Sequence, residues 1–163
     1  MGIRYKRARL TAAAVLAAAL AGCGSYAATC DPGRVELRGD WGQARFSVEV
    51  ADDASERATG LMNRPEMASS RGMLFLYDSP VQATFWMKNT LIPLDMIFVS
   101  PEGRVLRIHE NARPLDESVI DGGPGVQAVL EINGGLARRL GIVEGSELRH
   151  PGLDQETALW PCD

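Results

Sequence analysis

Asp95-Met96-Ile97-Phe98-Val99, then Ser100-Pro101-Glu102-Gly103, then Arg104-Val105-Leu106-Arg107-Ile108 reads as strand, turn and strand. The β-branched and aromatic runs suit extended backbone, and Pro and Gly stand where a tight reversal needs them. The pattern continues on both sides. Arg45-Phe46-Ser47-Val48-Glu49-Val50 alternates strictly, with Phe46, Val48 and Val50 on one face, so one side of that strand is predicted to be buried. Met73-Leu74-Phe75-Leu76-Tyr77 is apolar on both faces and is bounded by Gly72 and Asp78-Ser79-Pro80, as expected of a central strand. Ala83 to Lys88 is predicted as a further strand, with Phe85 and Met87 on one face and Thr84, Trp86 and Lys88 on the other. Val126 to Ile132 alternates again, and a last strand is expected around Ser146 to Arg149. Ser55 to Met62 begins with a capping type of residue and spaces Ala58, Leu61 and Met62 as a short helix does; Leu136 to Leu140, ended by Gly141, forms a second. Residues 110–125, with Pro114, Gly122, Gly123, Pro124 and Gly125, are predicted to be a surface loop. About eight short strands and two small helices point to a mainly β fold, a compact sandwich or partly open barrel.

The chain has 163 residues, enough for one ordinary domain plus a targeting segment. Its formal charge is −4, and four of its 17 basic residues, Arg4, Lys6, Arg7 and Arg9, lie within the first nine positions. Without them 13 basic side chains face 21 acidic ones, a balance that excludes the basic footprint of a nucleic-acid binder. After the basic stretch, Leu10 to Ala21 is apolar apart from Thr11. That run is too short to span a bilayer and has the length of a signal-peptide core. The following Leu20-Ala21-Gly22-Cys23 resembles the lipobox of bacterial lipoproteins, which implies cleavage before Cys23 and lipidation of that residue. Ordinary secretion, with cleavage near Tyr26-Ala27-Ala28, is the alternative. The expected organisation is a signal peptide over 1–22, a lipid-anchored arm over 23–42, a β-rich domain over 43–150 and a tail over 151–163. The chain is expected in the bacterial cell envelope, with its lipid in the membrane; in a Gram-negative source that is the outer membrane, facing the periplasm. With Cys23 lipidated, Cys30 and Cys162 remain as an even pair in an oxidising compartment, and a disulfide between them is predicted.

Several ordered motifs carry a resemblance. Arg57-Ala58-Thr59-Gly60-Leu61-Met62-Asn63-Arg64, Gly72-Met73-Leu74-Phe75, Phe85-Trp86-Met87-Lys88-Asn89-Thr90 with Leu94-Asp95, Val129-Leu130-Glu131 and Leu140-Gly141-Ile142 together resemble the family catalogued as domain of unknown function 192. The resemblance covers about residues 43 to 150 and implies a compact β-rich domain of jelly-roll type; it brings no activity with it. Glu144-Gly145-Ser146 departs from the Gly-Asp usual there, a surface variation.

Lys88 is the one lysine after residue 9, where arginine occurs 12 times. An ammonium, compact and strongly hydrated, is therefore singled out at this position. Beside it Trp86 offers an aromatic face, and Asn89, Thr90, Asp95 and Arg64 could add hydrogen bonds. The expected site is thus Arg64, Trp86, Lys88, Asn89 and Asp95, taking a small molecule, a glycan or an envelope partner. The packing alternative has Trp86 under the Lys88 stem, Asn89 and Thr90 fixing a turn, and Asp95 paired with Arg57 or Arg64. An enzymatic alternative uses Asp95 as base and Lys88 to stabilise an anion on sugar or acyl substrates. A third reading has Met62, Met67, Met73, Met87 and Met96 bind Cu(I), although methionine ordinarily fills gaps in cores. His109 and His150 are isolated, Gly122-Gly123-Pro124-Gly125 lacks the lysine and helix of a phosphate loop, and Asp52-Asp53 and Asp116-Glu117 read as solvated turns. No residue set calls for a cofactor or a metal.

Overall fold

A computed structural model describes residues 30–162 together with Met1. The expected signal peptide, Met1 apart, and Cys23 with its expected lipidation lie outside the described residues. Seven strands form one sheet: β1 Arg34–Gly39, β2 Gly42–Ala51, β3 Arg71–Phe85, β4 Leu94–Val99, β5 Val105–Ala112, β6 Ile120–Asn133 and β7 Glu147–Arg149. Helices α1 Ala54–Thr59 and α2 Leu136–Leu140 are short. The strand order is β5-β4-β6-β3-β2-β1-β7, antiparallel except for β2 beside β3.

The two edges of this sheet approach each other. Val105 N donates to Ser146 O at 2.8 Å, Gly145 N to Val105 O at 2.8 Å and Leu148 N to Gly103 O at 2.7 Å, so the β4–β5 turn is stitched to β7. The sandwich or partly open barrel expected from strand spacing is therefore realised as a single curled sheet, a half-barrel. Its inner core takes side chains from all seven strands, including Leu37, Phe46, Leu74, Ile97, Val105, Leu130 and Leu148, and α2 adds Leu136 and Ala137. A second core lies on the opposite face around Met73, Phe75, Met87, Met96, Phe98 and Val129. Alternation explains the division, since successive residues of one strand point to opposite faces.

Within the stretch 23–42, β1 pairs with both β2 and β7. Two expectations about elements need correction. The two strands expected at 73–77 and 83–88 are one strand, β3, which continues through Asp78-Ser79-Pro80 with register shifts against β6 and stops at Phe85. Trp86, Met87 and Lys88 therefore leave the sheet instead of alternating within it. The glycine-rich stretch expected as loop is the first half of β6, where Gly123, Asp121 and Ile120 pair with Ala83, Thr84 and Phe85. At Gly122 a Cβ would stand 2.2 Å from the Phe98 ring, so the missing side chain is what lets this segment lie against the outer core.

Cys30 and Cys162 are joined by a disulfide with their Cα atoms 5.4 Å apart. The tail they close is also held by Trp160, whose ring lies 4.4 Å from the Arg38 guanidinium and 4.3 Å from that of Arg149.

Candidate functional site

Helix α1 begins with a capping box: the Asp53 carboxylate accepts from Ser55 N and Glu56 N, and Glu56 reaches back to the Asp53 backbone N–H. None of its residues is buried, so it stands as a wall beside the sheet. It ends at Gly60, whose φ of 49° is the left-handed conformation that a side chain disfavours; a Cβ there would also press on the Phe75 ring at 3.2 Å. The chain then reverses through Asn63 and returns beside the segment that follows β3.

That segment is pinned by backbone. Met87 N donates to Asp116 O, Thr90 N to Met87 O, Asn63 N to Asn89 O and Leu115 N to Thr90 O, at 2.8 to 3.1 Å. Asn89 adopts a φ of 54°, which asparagine tolerates better than most side chains. Met87 is wholly buried and anchors the turn in the outer core, while Trp86 remains 47% exposed. The Lys88 Nζ lies 5.0 Å from the Trp86 ring centroid.

Between α1, the end of β3 and this turn lies a cleft of about 260 Å³, lined by Arg57, Leu61, Tyr77, Thr84, Trp86 and Glu131 among others. On its inner side stands Glu131, only 4% exposed, near the end of β6. Its neighbours across the sheet are Met73 on β3 and Met96 on β4, neither of which can bond strongly to a carboxylate. Among the described residues the Glu131 carboxyl has no ion pair or side-chain hydrogen bond. Burial pushes its pKa up to about 8. The Tyr77 phenol is also raised, first by burial, with Arg57 opposing and Glu131 adding to the rise. Arg57 lies 5.2 Å from the Tyr77 ring centroid, and its Nη1 donates to the carbonyls of Asp52 and Leu76.

The sign of the Glu131 effect on stability follows from its proton. Between its unfolded value near 4.5 and its folded value of about 8, the native state holds one proton that the unfolded state has released. Stability therefore falls as pH rises through that window and is undiminished below it. From pH 5 to 8 wild type is expected to lose roughly 3 kcal/mol that Glu131→Gln does not lose. Urea unfolding of both proteins across that range checks this, and parallel pH profiles would contradict it.

Of the five side chains expected to form one site, only Trp86 lines the cleft. Lys88 lies against its ring. Asn89 holds the turn, its Nδ2 lying 3.9 Å from the Met62 sulfur. Arg64 is bound bidentately to Glu49, with both bonds at 2.6 Å, and belongs to a separate surface depression with Met67 and Arg71. This hydrogen-bonded pairing raises the Arg64 pKa and lowers that of Glu49.

Asp95 faces the opposite side of the sheet. It is fully buried, and it accepts from Asn111 N, Gly135 N and Ala137 N at 2.7 Å each. The base role and the arginine pairing expected for Asp95 are both replaced by this anchoring of the α2 entry. The methionines considered for copper are distributed through the outer side of the sheet: Met73, Met87 and Met96 are buried in its core, Met67 packs against it, and Met62 borders the cleft. A wider depression of about 880 Å³ beside Trp41 and Ser146 is open, and there the Trp41 Nε1 already donates to Ser146 Oγ at 2.9 Å.

Glu131 lies within the Val129-Leu130-Glu131 motif and is not among the five side chains expected to form the site. In sequence it is a charged residue beside Val129, Leu130 and Ile132, and the alternation of that strand puts a glutamate on the face that ordinarily meets water.

The family model DUF192, described as "Uncharacterized ACR", matches residues 35–150. No curated protein matches the chain. Among solved structures, a protein of unknown function from Novosphingobium aromaticivorans DSM 12444 is 49% identical, with a TM-score of 0.68, covering 71% of this chain and 82% of that one. A candidate transcription regulator from Sinorhizobium meliloti 1021 is 42% identical, with a TM-score of 0.72, covering 77% of this chain and 98% of that one.

Proposed function

We propose that this chain, which belongs to the DUF192 family, is a lipid-tethered module of the cell envelope that binds a small hydroxylated molecule, such as a glycan unit, in the cleft beside Trp86. The supporting observation is an aromatic-walled cavity with a largely buried glutamate at its inner side, whose carboxyl makes no side-chain hydrogen bond among the described residues. A sugar ring offers both things this place lacks, an apolar face for Trp86 and hydroxyl groups for Glu131. Thr84 and Thr90 add hydroxyls to the lining. The volume suits one ring or a molecule of similar size. Tethering is inferred from the lipobox-like Leu20-Ala21-Gly22-Cys23, and the periplasmic face of an outer membrane is the expected location in a Gram-negative cell.

Binding is favoured over catalysis because the cleft presents one carboxyl among its lining residues, whereas glycoside hydrolysis ordinarily employs two. The acidic balance after residue 9 likewise favours a non-nucleic-acid ligand over the role suggested by the name of the Sinorhizobium neighbour. The test is thermal unfolding of the full chain in detergent with a panel of neutral, N-acetylated and acidic sugars. A ligand at a hundred times its Kd adds about 2.7 kcal/mol to the native state, and Trp86→Ala is expected to abolish the rise in Tm. A panel that leaves Tm unchanged, or a rise that survives Trp86→Ala, overturns the proposal. Lower stability of Trp86→Ala with no ligand effect in wild type would favour the packing role.

A further inference from the structure

Glu131 is surrounded by groups that neither share its proton nor neutralise its charge. From β3 the neighbour across the sheet is Met73, with Tyr77 farther along the strand; from β4 it is Met96. One strand beyond each methionine the register brings Glu49 on β2, bound by Arg64 and Arg71, and His109 on β5. Helix α1 contributes Arg57, and the turn after β3 contributes Trp86, Lys88 and the Thr90 hydroxyl.

Among the described residues the cations nearest the cleft are Arg57, which lines it, and Lys88, whose Nζ lies 5.0 Å from the ring of the lining residue Trp86. Arg57 spends its Nη1 on two carbonyls, leaving the rest of the guanidinium without a hydrogen bond among the described residues. Lys88 has Trp86 as its neighbour and forms no ion pair among the described residues.

We infer that the cleft takes a small hydroxylated carboxylate, a sugar acid or shorter hydroxy acid, whose anionic group is drawn by Arg57 and Lys88 and accepts the O–H of the Glu131 carboxyl. This rests on the cleft being the binding site proposed above and specifies the class of ligand. A carboxylic acid donating to a carboxylate makes a short, charge-assisted hydrogen bond. The acid must hold its proton to do so, and burial keeps Glu131 protonated up to about pH 8. Above that pH its ionisation would remove the donor and set two carboxylates against each other, so affinity should fall as pH rises.

Calorimetry on the full chain in detergent, with D-glucuronate and D-glycerate against D-glucose and glycerol, tests the inference at pH 6.5 and pH 9.5. Each acid is expected to bind at least tenfold more tightly than its neutral counterpart at the lower pH and to lose at least tenfold at the higher. Glu131→Gln, a neutral isostere with a weaker donor, should weaken acid binding at pH 6.5 and remove most of the pH dependence. Neutral ligands binding as well as acids, or a pH loss unchanged in Glu131→Gln, overturns the inference while leaving the cleft as a binding site. Failure of all four ligands to bind overturns it together with the reading on which it rests.

Discussion

Asp95→Ala is expected to lose at least about 4 kcal/mol of stability, because it strands three backbone donors at once, two of them fully buried. The N–H groups of Gly135 and Ala137 belong to the start of α2, and that of Asn111 lies in β5; all three converge on the one carboxylate. Helix α2 has five residues and no side-chain cap from its own Gly135, so Asp95 supplies from β4 what an N-cap residue would supply locally. Its loss should free the α2 entry, exposing Leu136 and Ala137 of the inner core. Asp95→Asn provides a milder variant: the amide oxygen still accepts, while its NH₂ faces a donor, with an expected cost of about 2 kcal/mol. Urea unfolding gives the magnitudes, and faster amide exchange at Gly135 and Ala137 locates the effect. A loss below 1 kcal/mol for the alanine variant would refute the anchoring role.

Removing the disulfide is the other large effect. The bridge joins positions 132 residues apart, and closing so long a loop restricts the unfolded chain by roughly 5 kcal/mol in the chain-entropy account. The expected loss on reduction, or in Cys162→Ser, is about 3 to 5 kcal/mol, with a fall in Tm on the order of 10 °C. The folded tail should nevertheless stay in place at moderate temperature. Leu159 N donates to Glu102 O at 2.8 Å, Leu153 is buried in the inner core, and Trp160 lies between two guanidinium groups. Thermal scans with and without reductant, read beside the fluorescence difference between wild type and Trp160→Phe, separate the two effects. An unchanged Tm would show that the bridge contributes nothing.

The sheet was legible wherever one residue pattern answered to one local cause. The turn at Ser100-Pro101-Glu102-Gly103 set the β4–β5 hairpin, and the alternation of Phe46, Val48 and Val50 set the inward face of β2. Gly141 marked the end of α2 as expected. Misreadings arose where tertiary contacts overrule local preference. Pro80 sits inside β3, where irregular pairing tolerates it, and Gly122 belongs to a strand because Phe98 requires the space. The site was legible in part. Trp86 and Lys88 stood out by type and spacing, but the end of β3 at Phe85 decides where they point. Arg64 and Asp95, near the motif in sequence, were taken by Glu49 and by α2 through contacts that no local spacing encodes. Glu131 needed knowledge of its neighbours on β3 and β4, because an isolated glutamate in an alternating strand ordinarily faces water.

The link between Cys30 and Cys162 also changes what a protease can accomplish. Every peptide bond between these residues belongs to a closed covalent ring, including those of the exposed stretch around Asp116 and Glu117. One cut there opens the ring without dividing the molecule. Both fragments remain attached to the same amino-terminal segment until a second cut or a reductant intervenes.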